Sequence, residues 1–268
     1  MRYVIDHDYH IHTQLSLCSR HPEQTVENII KFAKANALTS ICITDHYWDS
    51  AVAGASSWYS RQGFDHISKV LPLPEDSEVR CLFGCEADMD KNMTIGVSKE
   101  MYRTFDFIII PTTHLHMNTF TVSDDGSEDS ETRASLWALR FDALLKSDLP
   151  FKKVGVAHLA CTLTDPRSYE DYLTTLNLIK STDMHDLFTV ASKKGLGIEL
   201  NSSDMEQAIK HPDTVLRMFK IAKDAGCKFY LGSDSHTPEG FEGVIDVFNY
   251  SIDALGLTED DKFRIEGL

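Results

Sequence analysis

The sequence predicts an α/β fold in which seven parallel strands form a closed or nearly closed barrel. Three observations support this prediction. Apolar, β-branched runs recur along the chain, segments with helical periodicity separate them, and a histidine or a carboxylate stands at the end of every run. Because strands that alternate with helices pair in parallel, their carboxyl ends meet at one edge of the sheet. A barrel brings all these ends together, whereas an open sheet would spread them apart.

The strands are predicted from apolar runs that are short and bounded by polar or turn-forming residues. In chain order, they are 3–12, 40–46, 79–89, 105–114, 153–160, 196–203 and 228–236.

Helices are predicted between the strands, where apolar residues recur with a period near 3.6. Segments 22–38, 130–147 and 211–226 show this pattern. The last of them carries Pro212–Asp213 at its start and Gly226 at its end, which are typical helix boundaries. The alternation of strands and helices is not interrupted by a linker, so residues 1–268 are expected to form a single domain.

The overall charge excludes some classes of partner. The chain has 26 Lys and Arg against 41 Asp and Glu, a formal net charge of −15. Such a surface repels long nucleic acid and anionic lipid, although a small anion can still bind in a locally positive pocket. No apolar run approaches the ~20 residues that span a bilayer, and the start of the chain becomes polar too early for a signal peptide. The six cysteines resemble no disulfide framework. We therefore expect a cytoplasmic protein, and its oligomeric state stays open.

The residue types at the strand ends are those that bind metal ions. His10 and His12 are two residues apart on a strand, so their side chains project from the same face. Imidazole combined with carboxylate suits zinc, iron or manganese, and a carboxylate can bridge two ions. Without metal ions, it would be energetically costly to bury so many polar groups together at one end of the barrel. The polar residues at the strand ends are His10, His12, Asp45, His46, Glu86, Asp88, His114, His116, His158, Glu199, Asn201, Asp234 and His236.

The motifs DYHIHT, TDH, GCEAD, FDFIIIPTTH, VGVAHLA and GSDSH, in this order, resemble the polymerase and histidinol phosphatase (PHP) family of metal-dependent phosphoesterases. The resemblance spans the whole chain. It implies a distorted (β/α)7 TIM-like barrel with two or three divalent metal ions at the C-terminal ends of the strands. The implied reaction is hydrolysis of a small phosphomonoester, similar to histidinol phosphate, by hydroxide held between metal ions. Hydrolysis of a C–N bond, a nuclease or nucleotide phosphatase activity, and a non-catalytic metal-binding module are the alternatives.

The resemblance also implies which residues act. Glu86 bridges two metal positions and is expected to be catalytic, together with Asp234 and His236. Glu199 is expected to support the site, and Asp8 and Asp45 to orient imidazoles. The implied ligands are His10, His12, Glu86 and Asp234 for the first metal, Glu86, His114 and His158 for the second, and His46, His236 and a loop histidine for the third.

The loop histidine is the one point at which the sequence departs from the family pattern. Several relatives carry it six residues after the second histidine of the pair, where this chain has Cys18. His21 is the nearest histidine, and we expect it to complete the third site. Cys18 as the ligand, or an incomplete site, are the alternatives.

Substrate contacts are predicted from position alone. A phosphate group is best recognised by a guanidinium, and Arg20 and Arg167 lie in loops on the rim that carries the ligands. Arg140 falls in the middle of a helix, where a solvated face is the more common role. The long insertions 47–65 and 117–132 are expected to roof the site and determine its specificity.

Overall fold

Parallel strands follow one another around a barrel in the order of the chain. The computed structural model describes residues 1–19, 21–123 and 128–268. In the sheet, the strands are ordered β1-β2-β4-β5-β6-β7-β8, and the two-residue β3 pairs with β4. The strands are β1 (His7–Ile11), β2 (Ser40–Ile43), β3 (His46–Tyr47), β4 (Arg80–Ala87), β5 (Phe107–Pro111), β6 (Val154–Ala157), β7 (Gly197–Asn201) and β8 (Lys228–Gly232). The predicted seven-stranded α/β barrel is therefore confirmed, with β3 as a short addition.

The first and last strands close the barrel along a seam that is partly made by side chains. The backbone N–H of Asp234 donates to the carbonyl oxygen of His10 at 2.7 Å. The backbone N–H of Ser233 donates instead to Oδ1 of Asp8 at 3.0 Å. The Asp8 carboxylate thus accepts a hydrogen bond across the seam. It also accepts the backbone N–H of His10 at 3.2 Å and does not contact the imidazole of that residue. The expectation that Asp8 orients an imidazole is not met.

Helices cover the outside of the barrel, and their apolar faces pack on it. The three predicted helices are present as α1 (Val26–Ala35), α3 (Ser130–Lys146) and α7 (Pro212–Asp224). The start of α3 is fixed by Asp129, whose carboxylate accepts the N–H of Thr132 at 2.8 Å. The other α-helices of the described chain are α2 (Phe64–Ile67), α4 (Tyr169–Leu178), α5 (Ser181–Lys194), α6 (Ser202–Lys210) and α8 (Val244–Leu255). Within the described ranges, no helix combines the length and the apolar character needed to cross a membrane.

Candidate metal centre

The Glu86 carboxylate lies at the centre of a cluster of imidazoles near the C-terminal end of β4. Glu86 is buried. Its Oε2 lies 2.8 Å from Nδ1 of His46 and 3.4 Å from Nε2 of His12. Its Oε1 lies 3.2 Å from Nε2 of His158 and 3.7 Å from Nε2 of His10. One carboxylate therefore contacts four imidazoles from three separate strand ends, as a bridging ligand would.

The side chains around Glu86 form three overlapping groups that could each hold a metal ion. In each group, one potential ligand atom per residue lies within 4.8 Å of the others. These groups include every predicted ligand except His21. They are His10, His12 and Asp234; Glu86, His114 and His158; and His12, His46 and His236.

Two buried atoms of this cluster face each other without the geometry of a hydrogen bond. Nδ1 of His46 and Oε2 of Glu86 lie 2.8 Å apart as an ion pair, and neither atom has a hydrogen-bond partner. Buried polar atoms almost always have a partner in folded proteins, so both atoms are in place to donate a lone pair to a cation. The mixture of imidazole and carboxylate donors fits zinc, iron or manganese.

Carboxylates behind the cluster orient two of the imidazoles. Oε1 of Glu199 lies 2.6 Å from Nδ1 of His10, and Oδ2 of Asp88 lies 2.7 Å from Nδ1 of His114. The hydroxyl of Tyr59 also donates to Oδ2 of Asp88, at 2.7 Å. This is the arrangement in which the outer nitrogen of a metal-binding histidine is usually held. The expected supporting place of Glu199 agrees with its contacts, while the support from Asp88 was not predicted.

Asp45 acts on the cluster through a serine that the sequence analysis missed. The Ser16 hydroxyl donates to Oδ1 of Asp45 at 2.6 Å and lies 2.9 Å from Nδ1 of His12. A serine in a loop carries no periodic signal, so only the fold reveals that it links this carboxylate to this imidazole.

Two of the candidate ligands adopt an uncommon backbone conformation. His158 has φ 32° and Asp234 has φ 55°, both in the left-handed region. Residues other than glycine rarely adopt it, and it costs free energy that the surrounding structure must offset. Both residues lie just beyond the end of a strand, where the chain turns to direct them into the cluster.

The imidazoles keep the carboxylates of the cluster ionised. Burial alone would raise the pKa of Glu86, but His46 and His10 lower this pKa well below its usual range. Burial opposes ionisation of Asp234 in the same way, and the charge of His10 again lowers the pKa well below the usual value. Both side chains are therefore available as anionic ligands.

A pocket of about 560 Å³ opens above the cluster. Glu86, Asp234 and His236 lie at its base. Residues 56–59 and 117–120 line it from the two long insertions, so both insertions contribute to its walls. The walls include the apolar side chains of Trp58, Met117, Phe120 and Leu163. His116 also lines this pocket, next to His114 but in none of the three groups.

The structure does not bring the predicted Arg167 to the pocket. Arg167 is paired with Asp165, at 2.8 Å from Nε to Oδ1 and at 2.7 Å to Oδ2, and its guanidinium also donates to Ser130. These contacts hold Arg167 outside the pocket lining. Arg20, the other candidate, lies outside the described residues.

Arg140 is fully buried, and the expectation of a solvated side chain was wrong. Its guanidinium donates to the carbonyl oxygens of Thr112 and Met89, both at 2.7 Å. It also lies 3.8 Å from Oδ1 of Asp88. The side chain therefore holds together the segments that follow β4 and β5, directly behind a carboxylate of the metal cluster.

His21 does not join the cluster. Cys18 lines the pocket beside His46 and His236 but belongs to none of the three groups. The backbone N–H of Ser19 donates to the carbonyl oxygen of Ser16 at 2.9 Å, and this turn leaves His21 outside, where its Nδ1 accepts the N–H of Glu23. The Cys18 thiol hydrogen-bonds to His236 and His46. Burial would raise the pKa of Cys18, but these two bonds lower it to about 6.

The chain is similar to known proteins in sequence and in fold. The family profile of the PHP domain matches residues 8–203. A protein of Tolumonas auensis named "probable phosphatase" is 26% identical over 238 residues, 88% of this chain and 79% of that protein. A "probable phosphatase" of Thermoanaerobacter sp. (strain X514) is 26% identical over 259 residues, 94% of this chain and 87% of that protein.

Among solved structures, the chain is similar to the histidinol phosphate phosphatase of Lactococcus lactis in complex with zinc, L-histidinol and phosphate. The TM-score is 0.64 with 17% identity, over 98% of this chain and 100% of that one. At this level of identity, the likeness shows a shared fold.

Proposed function

The chain belongs to the PHP domain family, and from this premise we propose that it is a metal-dependent phosphatase acting on a small phosphomonoester. The observation that carries the proposal is the position of Glu86. This single carboxylate contacts the imidazoles of three overlapping groups at the base of an open pocket. A phosphate group that enters the pocket would reach Glu86, Asp234 and His236 at its base.

The chain's own residues would hold two or three divalent ions. When bound, such ions supply Lewis acidity, which neutralises phosphate oxygens, lowers the pKa of water and stabilises the leaving oxygen. Glu86 would supply a carboxylate shared by neighbouring ligand groups, and Asp234 would supply a second carboxylate. Glu199 and Asp88 keep the imidazoles of His10 and His114 in a fixed orientation, so that the ligand atoms face the pocket.

A substrate similar to histidinol phosphate is supported by size and by charge. A pocket of about 560 Å³ suits a small metabolite, and the net charge of −15 opposes the approach of a polynucleotide. The curated relatives are named as phosphatases, and the solved structural relative contains L-histidinol and phosphate. The apolar walls would contact the carbon skeleton of the alcohol that is released.

The test measures metal content and phosphate release on the same purified protein. The substrates are histidinol phosphate, sugar phosphates, nucleoside monophosphates, a phosphodiester and an amide panel. We expect phosphate release from a monoester, with losses in His10→Ala and Asp234→Asn. The matched control is His185→Ala, which changes an exposed histidine outside the metal groups.

Each result decides between the function classes. Metal without phosphate release from any ester overturns the phosphatase proposal. In that case, hydrolysis of an amide supports a C–N hydrolase, and no hydrolysis at all supports a non-catalytic metal-binding protein. Cleavage of the diester alone supports a nuclease.

A further inference from the structure

We propose that Tyr59 is a positioning residue that links the wall of the pocket to the metal group of Glu86, His114 and His158. This inference rests on the proposed function, because it concerns the metal centre on which that function depends. It assigns to the insertion 47–65 a role in metal binding as well as in enclosing the substrate.

The first step concerns the two ends of the Tyr59 side chain. Tyr59 lines the pocket, yet it is only 1% exposed. Its hydroxyl donates to Oδ2 of Asp88 at 2.7 Å, and Asp88 is fully buried. The side chain therefore reaches from the pocket lining to a carboxylate that has no contact with solvent.

The second step is that Asp88 passes this contact on to a candidate ligand. The same Oδ2 lies 2.7 Å from Nδ1 of His114. Since an ionised carboxylate only accepts hydrogen bonds, Nδ1 donates and Nε2 keeps the lone pair that a metal ion needs. The other oxygen, Oδ1, accepts the backbone N–H of Met89 at 2.6 Å. Tyr59 and His114 thus share one oxygen of a carboxylate whose second oxygen is fixed to the backbone.

The third step is that the Tyr59 ring is held by aromatic rings from both insertions. Its centroid lies 4.7 Å from that of Trp58 and 5.9 Å from that of Trp48, both in the insertion 47–65. It lies 5.2 Å from the centroid of Phe120, in the other insertion. Trp48, Tyr59 and Phe120 form one buried apolar cluster. Rings packed at such distances restrict each other's orientation, so a shift of either insertion displaces the hydroxyl that Asp88 accepts.

These contacts link the pocket to the metal group in both directions. A molecule that rests on the wall stabilises the ring of Tyr59, and this keeps Asp88 and His114 aligned. Because linkage between two sites is reciprocal, an ion bound by His114 also stabilises the wall.

The experiment compares Tyr59→Phe, which removes the hydroxyl and keeps the ring, with Tyr47→Phe. Tyr47 is buried at the start of the same insertion, but its hydroxyl has no hydrogen-bond partner in the described part of the chain. Competition with a chromophoric chelator measures the affinity for Zn²⁺ and Co²⁺, and the absorption spectrum of bound Co²⁺ reports its ligand geometry. Tyr59→Phe should weaken the binding of one ion by roughly 10-fold and change the Co²⁺ spectrum. Tyr47→Phe should change neither.

Two further variants test the route of the effect. If Tyr59 acts through Asp88, the double variant of Tyr59→Phe and Asp88→Asn should bind metal no more weakly than Asp88→Asn alone. Phe120→Leu keeps the hydroxyl of Tyr59 but loosens its ring, and it should weaken the same ion by roughly 3-fold. Steady-state kinetics at limiting zinc should show a lower kcat in Tyr59→Phe with an unchanged KM, and excess zinc should restore the kcat.

Equal metal affinities of Tyr59→Phe and Tyr47→Phe, or additive losses in the double variant, overturn the inference. Circular dichroism verifies that each variant is folded. If Tyr59→Phe does not fold, Phe120→Leu decides, because an unchanged metal affinity in that variant contradicts the link. Failure of the proposed function is a separate result: proteins that show the difference in metal affinity but release no phosphate retain the link and lose the phosphatase activity.

Discussion

Glu199 holds the imidazole of His10 by a contact of 2.6 Å between its Oε1 and Nδ1, and both side chains are buried. The other oxygen of the same carboxylate accepts the backbone N–H of His158 at 2.7 Å. One side chain on β7 thus positions two candidate ligands that belong to different metal groups.

Substitution Glu199→Gln should weaken metal binding by roughly 10- to 100-fold, because loss of an orienting carboxylate has this effect on metal-bound histidines. The neutral amide no longer supports the basicity of His10. Competition with a chromophoric chelator measures the affinity. Glu206→Gln, an exposed position on α6, is the matched control. Equal affinities for the two variants would show that Glu199 has no part in the centre.

Substitution Arg140→Leu should lower the free energy of unfolding by about 3 kcal/mol or more. It leaves the carbonyl oxygens of Thr112 and Met89 without their donor and removes a positive charge that lies 3.8 Å from the buried Asp88. Urea denaturation measures the loss. Arg103→Leu changes an exposed arginine and should stay within roughly 0.5 kcal/mol of the wild type. If both variants have the same free energy of unfolding, the buried guanidinium of Arg140 does not stabilise the fold.

Substitution Asp204→Asn should change how stability depends on pH. Burial raises the pKa of Asp204 to about 7. The folded protein thus binds this proton more tightly than the unfolded chain, so the stabilisation is complete below the unfolded pKa and is lost as the pH rises through the folded pKa. The stability of Asp204→Asn relative to the wild type should therefore increase between about pH 4 and pH 7, and then level off.

Thermal or urea denaturation across this pH range tests the prediction, with the exposed Asp186→Asn as control. A stability difference that is constant over the whole range would contradict a raised pKa at Asp204.

Substitution Trp58→Ala should raise KM by roughly 10-fold and change kcat less, since a lost apolar contact mainly weakens binding. Trp58 lines the pocket and packs its ring edgewise on His46, with centroids 5.0 Å apart. Steady-state kinetics on the best phosphomonoester measure both constants. Trp58→Phe keeps an aromatic ring, so its KM should lie between that of the wild type and that of Trp58→Ala. A fall in kcat alone would assign Trp58 to the alignment of His46 instead.

The barrel could be predicted because its signals are local. Apolar runs mark the strands, and the ligand-type residues directly follow them. The side chains of Arg140 and Ser16 could not be placed in this way. Arg140 is buried because the carbonyl oxygens of Thr112 and Met89, 28 and 51 residues away, surround it. The sequence around Arg140 contains no pattern that indicates this burial.

The third site shows the same limit. The choice between His21 and Cys18 depends on a short turn. Turns lack the periodicity of helices and strands, so their sequence does not predict the direction of a side chain. Family spacing pointed to position 18 and residue chemistry pointed to position 21. Only the hydrogen bonds of Ser16 and Ser19 decide which of these residues faces the imidazoles.

The seam between β1 and β8 also fixes when the metal centre can form during protein synthesis. His10 and His12 leave the ribosome more than two hundred residues before Asp234, which shares their group. Contacts so distant in sequence form late, after most of the chain has become available. The nascent chain therefore exposes two metal-binding histidines long before their carboxylate partner exists. Complete metal loading has to wait until the last strand has docked.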